Sequence, residues 1–150
     1  MSTGSRVPTF GCTCARLRKL TRRLTRIYDA HLAAQAIKVT QYSLLANAAR
    51  GERTVSEFAT ELEMDRSTLS RNLTPLVAQG WVSVSIGEDP RSRSISVTAA
   101  GRRKLKAALP LWRKAQCQVE SILGAAGVGE LHRKIERALA ALPASSGKRP

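Results

Sequence analysis

Apolar residues recur every three or four positions through most of the chain, a period that predicts helices. Leu17, Leu20, Leu24 and Ile27 predict a first helix over about Cys14 to Ala34. A second runs near Thr40 to Arg50 and is ended by Gly51. Thr54-Val55-Ser56-Glu57 has the form of a capping box, in which the Thr hydroxyl and the Glu carboxylate satisfy early helix N–H groups. It opens a short third helix with Val55, Phe58, Ala59 and Leu62 as its buried stripe. Glu63-Met64-Asp65 interrupts the pattern. Asp65 then caps a fourth helix, Arg66 to Gln79, which is expected to bury Leu69, Leu73, Leu76 and Val77 and to be locally disturbed at Pro75.

After Gly80 the period changes. Trp81-Val82-Ser83-Val84-Ser85-Ile86 alternates apolar and polar, as a half-buried strand does. Gly87 to Ser94 is a charged turn, and Ile95-Ser96-Val97 alternates again, so a hairpin with a basic tip is expected. Thr98 caps a long helix to about Leu123. Gly124 to Gly127 breaks it, and a last helix covers about Gly129 to Leu142. The fold class is mainly α with a small β-hairpin. A short helix, a tight turn, a second helix and a hairpin make a winged helix-turn-helix.

Composition fixes the scale and the partner. The chain has 150 residues, which suits one compact domain, and 43% hydrophobic residues, which suffice for a core. Aromatics are 4%, so Leu, Ala, Val and Ile must fill that core. Net charge is +14, from 25 Lys and Arg against 11 Asp and Glu, an excess that points to a polyanion. Arg16, Arg18, Lys19, Arg22, Arg23 and Arg26 give the first helix a basic face. No stretch approaches the ~20 apolar residues of a membrane span. The first ten residues lack a secretory apolar run. A cytoplasmic protein with no membrane partner is expected, its three cysteines being thiols. Residues 1–10 read as a flexible arm and 144–150 as a flexible tail.

The fourth helix would enter the major groove of double-stranded DNA. Opposite its apolar stripe stand Ser67, Thr68, Ser70, Arg71, Asn72 and Thr74, short hydrogen-bonding groups with one arginine long enough for a guanine edge or a phosphate. No carboxylate occurs from Arg66 to Val84. At the hairpin tip, Asp89-Pro90-Arg91-Ser92-Arg93 offers Arg91 and Arg93 to the minor groove or its phosphates, with Asp89 orienting Arg91. Leu105, Leu109, Leu111, Trp112 and Val119, with Leu131, Ile135, Leu139 and Leu142, carry more apolar surface than one small domain hides, so a homodimer is expected.

Asp89-Pro90-Arg91-Ser92-Arg93, followed by Val97-Thr98-Ala99-Ala100-Gly101, resembles the wing signature of the MarR family of bacterial regulators. Asp65-Arg66-Ser67-Thr68-Leu69-Ser70-Arg71 and Leu76-Val77-Ala78-Gln79-Gly80-Trp81-Val82 resemble its recognition helix and exit, and Thr40-Gln41-Tyr42-Ser43-Leu44-Leu45 the start of its second helix. The resemblance spans about Cys12 to Leu142. It implies a homodimer with intertwined terminal helices and wings straddling a palindromic operator. The organisation expected is a dimerisation helix at 11–36, a DNA-binding region at 37–97 and dimerisation helices at 98–143. The protein would be a repressor released by a small molecule or an oxidant that changes the ~34 Å spacing of its two recognition helices.

Thiols supply candidate chemistry for that signal. Cys12 and Cys14 lie at the start of the first helix, where its N-terminus and Arg16 and Arg18 favour a thiolate. Cys14-Ala15-Arg16-Leu17-Arg18 through Leu24-Thr25-Arg26-Ile27-Tyr28 resembles the first helix of the organic-hydroperoxide-sensing branch. That resemblance implies an oxidisable Cys14, a partner thiol that Cys117 can represent, and Tyr28 as a supporting tyrosine. Arg18 and Val39 stand where two further tyrosines are expected. Two alternatives are a metal or metalloid sensor built on the three cysteines, and a sequence-blind architectural DNA-binding protein. The thiols can also be bystanders. His31 and His132 are isolated. With no phosphate loop, His-Glu-x-x-His motif or nucleophile elbow, neither an enzyme nor a cofactor is expected.

Overall fold

A computed structural model of the chain describes residues 11–87, 89 and 92–144. The arm at 1–10 and all but the first residue of the tail at 144–150 therefore lie outside the described residues, as do Pro90 and Arg91. Six helices and three strands follow in order: α1 (Thr13–Leu32), α2 (Val39–Ala48), β1 (Arg53–Thr54), α3 (Val55–Glu61), α4 (Arg66–Ala78), β2 (Val82–Ile86), β3 (Arg93–Val97), α5 (Ala99–Leu123) and α6 (Ala125–Ala141). A single 3-10 turn, Ala33–Gln35, closes α1.

The sheet has the order β1-β3-β2, antiparallel throughout. The hairpin is thus joined by a third strand that alternation could not reveal, since β1 has only two residues. Arg53 is drawn into β1 by one partner far off in sequence, Ile95, and by three nearer ones. It pairs with Ile95 in register, forms an ion pair with Glu61, donates to the Asn47 carbonyl and lies over the Phe58 ring at 5.0 Å. β3 begins at Arg93, two residues earlier than the alternation of Ile95-Ser96-Val97 suggests, because Arg93 pairs opposite Ile86.

Leu32, Leu45, Phe58, Leu69, Leu76 and Ile95 form the fully buried centre of the core, with contributions from α1, α2, α3, α4 and β3. Val77 is not part of it: the side chain is 42% exposed. At 100° per residue it stands one step round the helix from Leu76, off the stripe of Leu69, Leu73 and Leu76. The chain stays helical through Pro75, whose side is exposed.

The start of α5 is fastened to the end of α4. Thr98 Oγ1 accepts the Gly101 N–H at 3.0 Å and donates to the Gly80 carbonyl at 2.6 Å. The Thr98 N–H reaches the Trp81 carbonyl at 3.0 Å. One turn on, Lys104 lies over the Trp81 ring at 5.0 Å and donates to the Gln35 carbonyl at 2.9 Å. These contacts tie the long α5 stem both to the head and to the end of α1. At the other side of the head, Asp29 Oδ1 accepts the Val39 N–H at 2.7 Å and anchors the first turn of α2 to α1.

Helix α6 starts at Ala125, so the expected break of several residues shrinks to Gly124, with Gly127 and Gly129 inside the helix. Each costs about 1 kcal/mol relative to alanine, and buried Val128 between them anchors the turn. Leu105, Leu111 and Trp112 pack against the core of this same chain. In contrast, Ile122 is 62% exposed, Leu139 57% and Leu142 65%. Among the described residues no helix is long and apolar enough to cross a membrane.

Candidate nucleic-acid interface

The reading unit begins at the capping box of α3. Thr54 Oγ1 accepts the Glu57 N–H at 3.1 Å, and Glu57 Oε2 accepts the Thr54 N–H at 2.8 Å. The Thr54 N–H first, and then the Thr54 hydroxyl at 2.9 Å, donate to the exposed Glu57 carboxylate and hold it below its ordinary value of 4.5. The turn into α4 is tight. Glu63 adopts a left-handed backbone (φ 51°), and the Met64 N–H returns to the Ala59 carbonyl at 2.8 Å. Asp65 takes the N-cap position with extended backbone angles, but its side chain makes no capping bond.

Buried Leu69, Leu73 and Leu76 hold α4 by one side and turn the opposite side outward. Ser67, Ser70, Arg71, Asn72 and Thr74 are all exposed, and Thr68 is half-buried. The helical period divides these six. Ser67, Ser70, Arg71 and Thr74 share the outermost arc, while Thr68 and Asn72 fall on one flank. Two side chains are partly engaged: the Thr74 hydroxyl donates to the Ser70 carbonyl at 3.0 Å, and Arg71 Nη2 to Thr68 Oγ1 at 3.4 Å.

Asn72 and Arg71 border a cleft of about 580 Å³ between α4, α1 and α2. Thr25 of α1, Val39 and Leu44 of α2, and Met64 ahead of α4 are among its walls. On the other flank of α4, Arg66, Ser67 and Ser70 face Arg93 of β3 across a smaller notch of about 320 Å³. Arg66 is absent from the contacts expected on sequence. Its place directly after the N-cap, ahead of the serines, is the signal that identifies it.

The wing stem is regular. Ser83 and Ser96 hydroxyls meet at 2.8 Å, and the Gly87 N–H donates to the Ser92 carbonyl at 2.9 Å. Ile86 ends β2 with 73% of its surface exposed, an apolar residue beside the charged tip. Arg93 is exposed at the base of the tip. Arg91, and with it the expected Asp89–Arg91 pair, falls outside the described residues.

The thiols are dispersed. Cys12 is the N-cap of α1, its sulfur accepting the Ala15 N–H at 3.4 Å, and Cys14 is in the first turn. Cys12, Cys14 and Cys117 are all free and exposed. Tyr28 lies fourteen residues beyond Cys14 on the same helix, about 21 Å along its axis. The two therefore do not meet within one chain. Tyr28 instead donates to Gln116 Oε1 of α5 and packs on Trp112, ring centres 6.2 Å apart. Burial raises the Tyr28 phenol above its ordinary 10.0, with Glu120 adding to the effect. It stays a proton donor. His31 bonds Gln118 at 2.7 Å, and His132 is exposed. Among the described residues no group of three or more His, Cys, Asp or Glu is placed to hold a metal ion within this chain.

A family model described as MarR family matches residues 37–92. The chain is similar to a solved structure of the M. tuberculosis transcriptional regulator MosR in complex with DNA: 35% identity, covering 87% of this chain and 97% of that one, TM-score 0.75. A second structure of M. tuberculosis MosR gives 32% identity, 89% and 98% coverage and a TM-score of 0.71. A mutant of the E. coli regulator MarR complexed with operator DNA matches at 22% identity, 84% and 92% coverage and a TM-score of 0.76, a likeness of fold. The comparison with curated proteins finds no match.

Proposed function

The chain belongs to the MarR family of winged helix-turn-helix regulators, and from that membership we propose that it binds double-stranded DNA as a homodimeric, sequence-specific repressor in the cytoplasm. The observation that carries the reading is the outward face of α4. Ser67, Ser70, Arg71 and Thr74 project from a helix whose other side is locked into the core, in a stretch free of carboxylates. Such a face pairs hydrogen-bond donors and acceptors with base edges, and the +14 charge draws the duplex in. Thr68 and Asn72 flank the groove-facing arc, and Arg91 and Arg93 serve the wing. The similar structure at 35% identity is of a transcriptional regulator in complex with DNA.

Exposed Ile122, Leu139 and Leu142 on α5, α6 and the residue after it support dimerisation through the terminal helices. The unit at 37–97 would then be the reading head, and 11–36 with 98–143 the stem.

For release, the cleft beside α4 supplies the place. Arg71 and Asn72 border both the cleft and the proposed DNA face. A small molecule lodged there would shift the helix that reads DNA. Cys14 stands on the same side of α1 as Thr21 and Thr25, which border the cleft. Oxidation at Cys14, with Cys12, Cys117 and Tyr28 as accessory groups, would act on the same boundary.

The experiment is competition. A duplex selected from random sequence by the protein is compared with its scrambled version by fluorescence anisotropy. Preference for the selected palindrome by about 10³-fold or more is expected of a specific regulator. Equal affinity would make the protein architectural.

A further inference from the structure

We propose that the notch between α4 and the wing holds one phosphodiester of the duplex backbone, gripped from both sides by Arg66 and Arg93. The inference rests on the DNA-binding reading above and adds to it a defined contact and a new residue.

Two walls from different elements make the notch. Arg66, Ser67 and Ser70 come from the first two turns of α4, Arg93 from the first position of β3, and Val55 from the start of α3. Among the described residues no carboxylate lines it. Arg53, by comparison, is consumed by Glu61 and the Asn47 carbonyl. Neither the Arg66 nor the Arg93 guanidinium has an ion-pair or hydrogen-bond partner among the described residues. Two like charges facing one concavity repel each other, and an anion between them removes that cost. Guanidinium forks are the donors that a phosphate accepts from, often in bidentate pairs.

Duplex geometry selects the source of the phosphate. With α4 in the major groove and the wing at the adjacent minor groove, the sugar–phosphate strand dividing those grooves must run between them. The notch is the concavity that lies between them. Because both arginines address the same phosphate, each can partly replace the other.

That sharing is the test. Affinity for selected and scrambled duplexes is measured against salt for wild type, Arg66→Gln, Arg93→Gln and the double variant, with thermal melting to verify folding. Both side chains are exposed, so the folds should be unchanged. The slope of log K against log salt is about −0.9 per phosphate neutralised. Each single variant is expected to change it by less than that per head. The double variant should reduce it by about 0.9 per head, and lower affinity about tenfold or more on both duplexes. A single methylphosphonate at one position of each half-site should weaken wild type and leave the double variant unaffected.

Slope losses of about 0.9 for each single variant, adding in the double, would mean two separate phosphates and overturn the shared grip. Loss on the selected duplex alone would make these base contacts and also overturn it. If inorganic phosphate binds in an Arg66-dependent way while duplex affinity ignores both arginines, the notch serves a free anion and the proposal fails. Failure of the underlying reading looks different: wild type itself would not distinguish selected from scrambled duplex.

Discussion

Arg71 Nη2 donates to Thr68 Oγ1, one turn earlier on α4, at 3.4 Å. The bond is long, so it biases the guanidinium without locking it. Arg71 also borders the cleft on the α1 side of the helix. On the proposed reading, one side chain would therefore serve both DNA contact and an effector in the cleft. Arg71→Ala is expected to cost about 1–3 kcal/mol of operator affinity and to narrow the preference over scrambled DNA. Anisotropy titrations of both duplexes check this. An unchanged preference would remove Arg71 from base reading.

Gly101 sits where α5 meets the end of α4. An alanine Cβ there would overlap the Trp81 carbonyl oxygen and stand 2.8 Å from Val97 Cγ1. Backbone cannot step aside as a flexible side chain can. Gly101→Ala should destabilise the protein by about 1–3 kcal/mol or more through overpacking. Thermal or urea unfolding measures it, and a melting temperature equal to wild type would contradict the packing described here.

The helical parts were legible because each carries a strong local period. Leu69, Leu73 and Leu76 announce the buried side of α4, and thereby the exposed residues opposite. Caps at Thr54 and Thr98 were legible for the same reason: capping is a local interaction. β1 was hidden because Arg53 takes its conformation from Ile95, Glu61 and Asn47, partners up to 42 positions away. Val77 is apolar and adjoins the stripe, but its burial depends on what packs against that edge of α4, which the helical period alone does not carry. The notch is not legible, because a concavity between a helix and a strand has no signature in either segment alone; Arg66 by itself shows only as a cation directly after the N-cap of α4.

Glu57 links stability to acid. Its folded value lies below 4.5 because Thr54 donates to the carboxylate form. A depressed carboxyl contributes stability that is complete above the unfolded value and disappears as pH falls through the folded one. The capping contribution should therefore hold at neutral pH and fade below about 4.5. Glu57→Gln keeps a capping-box side chain without the titration. Its melting temperature should fall less steeply than that of wild type on acidification. Parallel acid limbs would show that Glu57 does not contribute to them.

Ile122 and Leu139 test the stem. Both are exposed in the single chain, on α5 and α6. Aspartate at both positions should leave the head folded, because its core draws on neither residue. It should convert a dimer to a monomer by sedimentation and reduce operator affinity by orders of magnitude, since one head engages only a half-site. A variant that still sediments as a dimer would exclude these residues from the interface.

The thiol signal can be separated from the cleft signal. In the thiol route, the Cys14 thiolate takes the terminal oxygen of an organic hydroperoxide, releasing the alcohol and leaving a sulfenic acid. A second thiol then condenses with it, releasing water. Cys14 is exposed in the first turn of α1 and reachable from solvent. Operator release by hydroperoxide should then be abolished in Cys14→Ser. In Cys117→Ser, release should stay reversible by mild reductant if Cys117 is not the second thiol; if it is, a second equivalent of hydroperoxide oxidises the unpaired sulfenic acid to sulfinic acid, releasing another alcohol, and release becomes irreversible. Release that persists in both variants would transfer the signal to a molecule bound beside Arg71 and Asn72. In that case, substituting a bulkier side chain at Thr25, on the cleft wall, should block induction while leaving operator affinity in the absence of inducer unchanged.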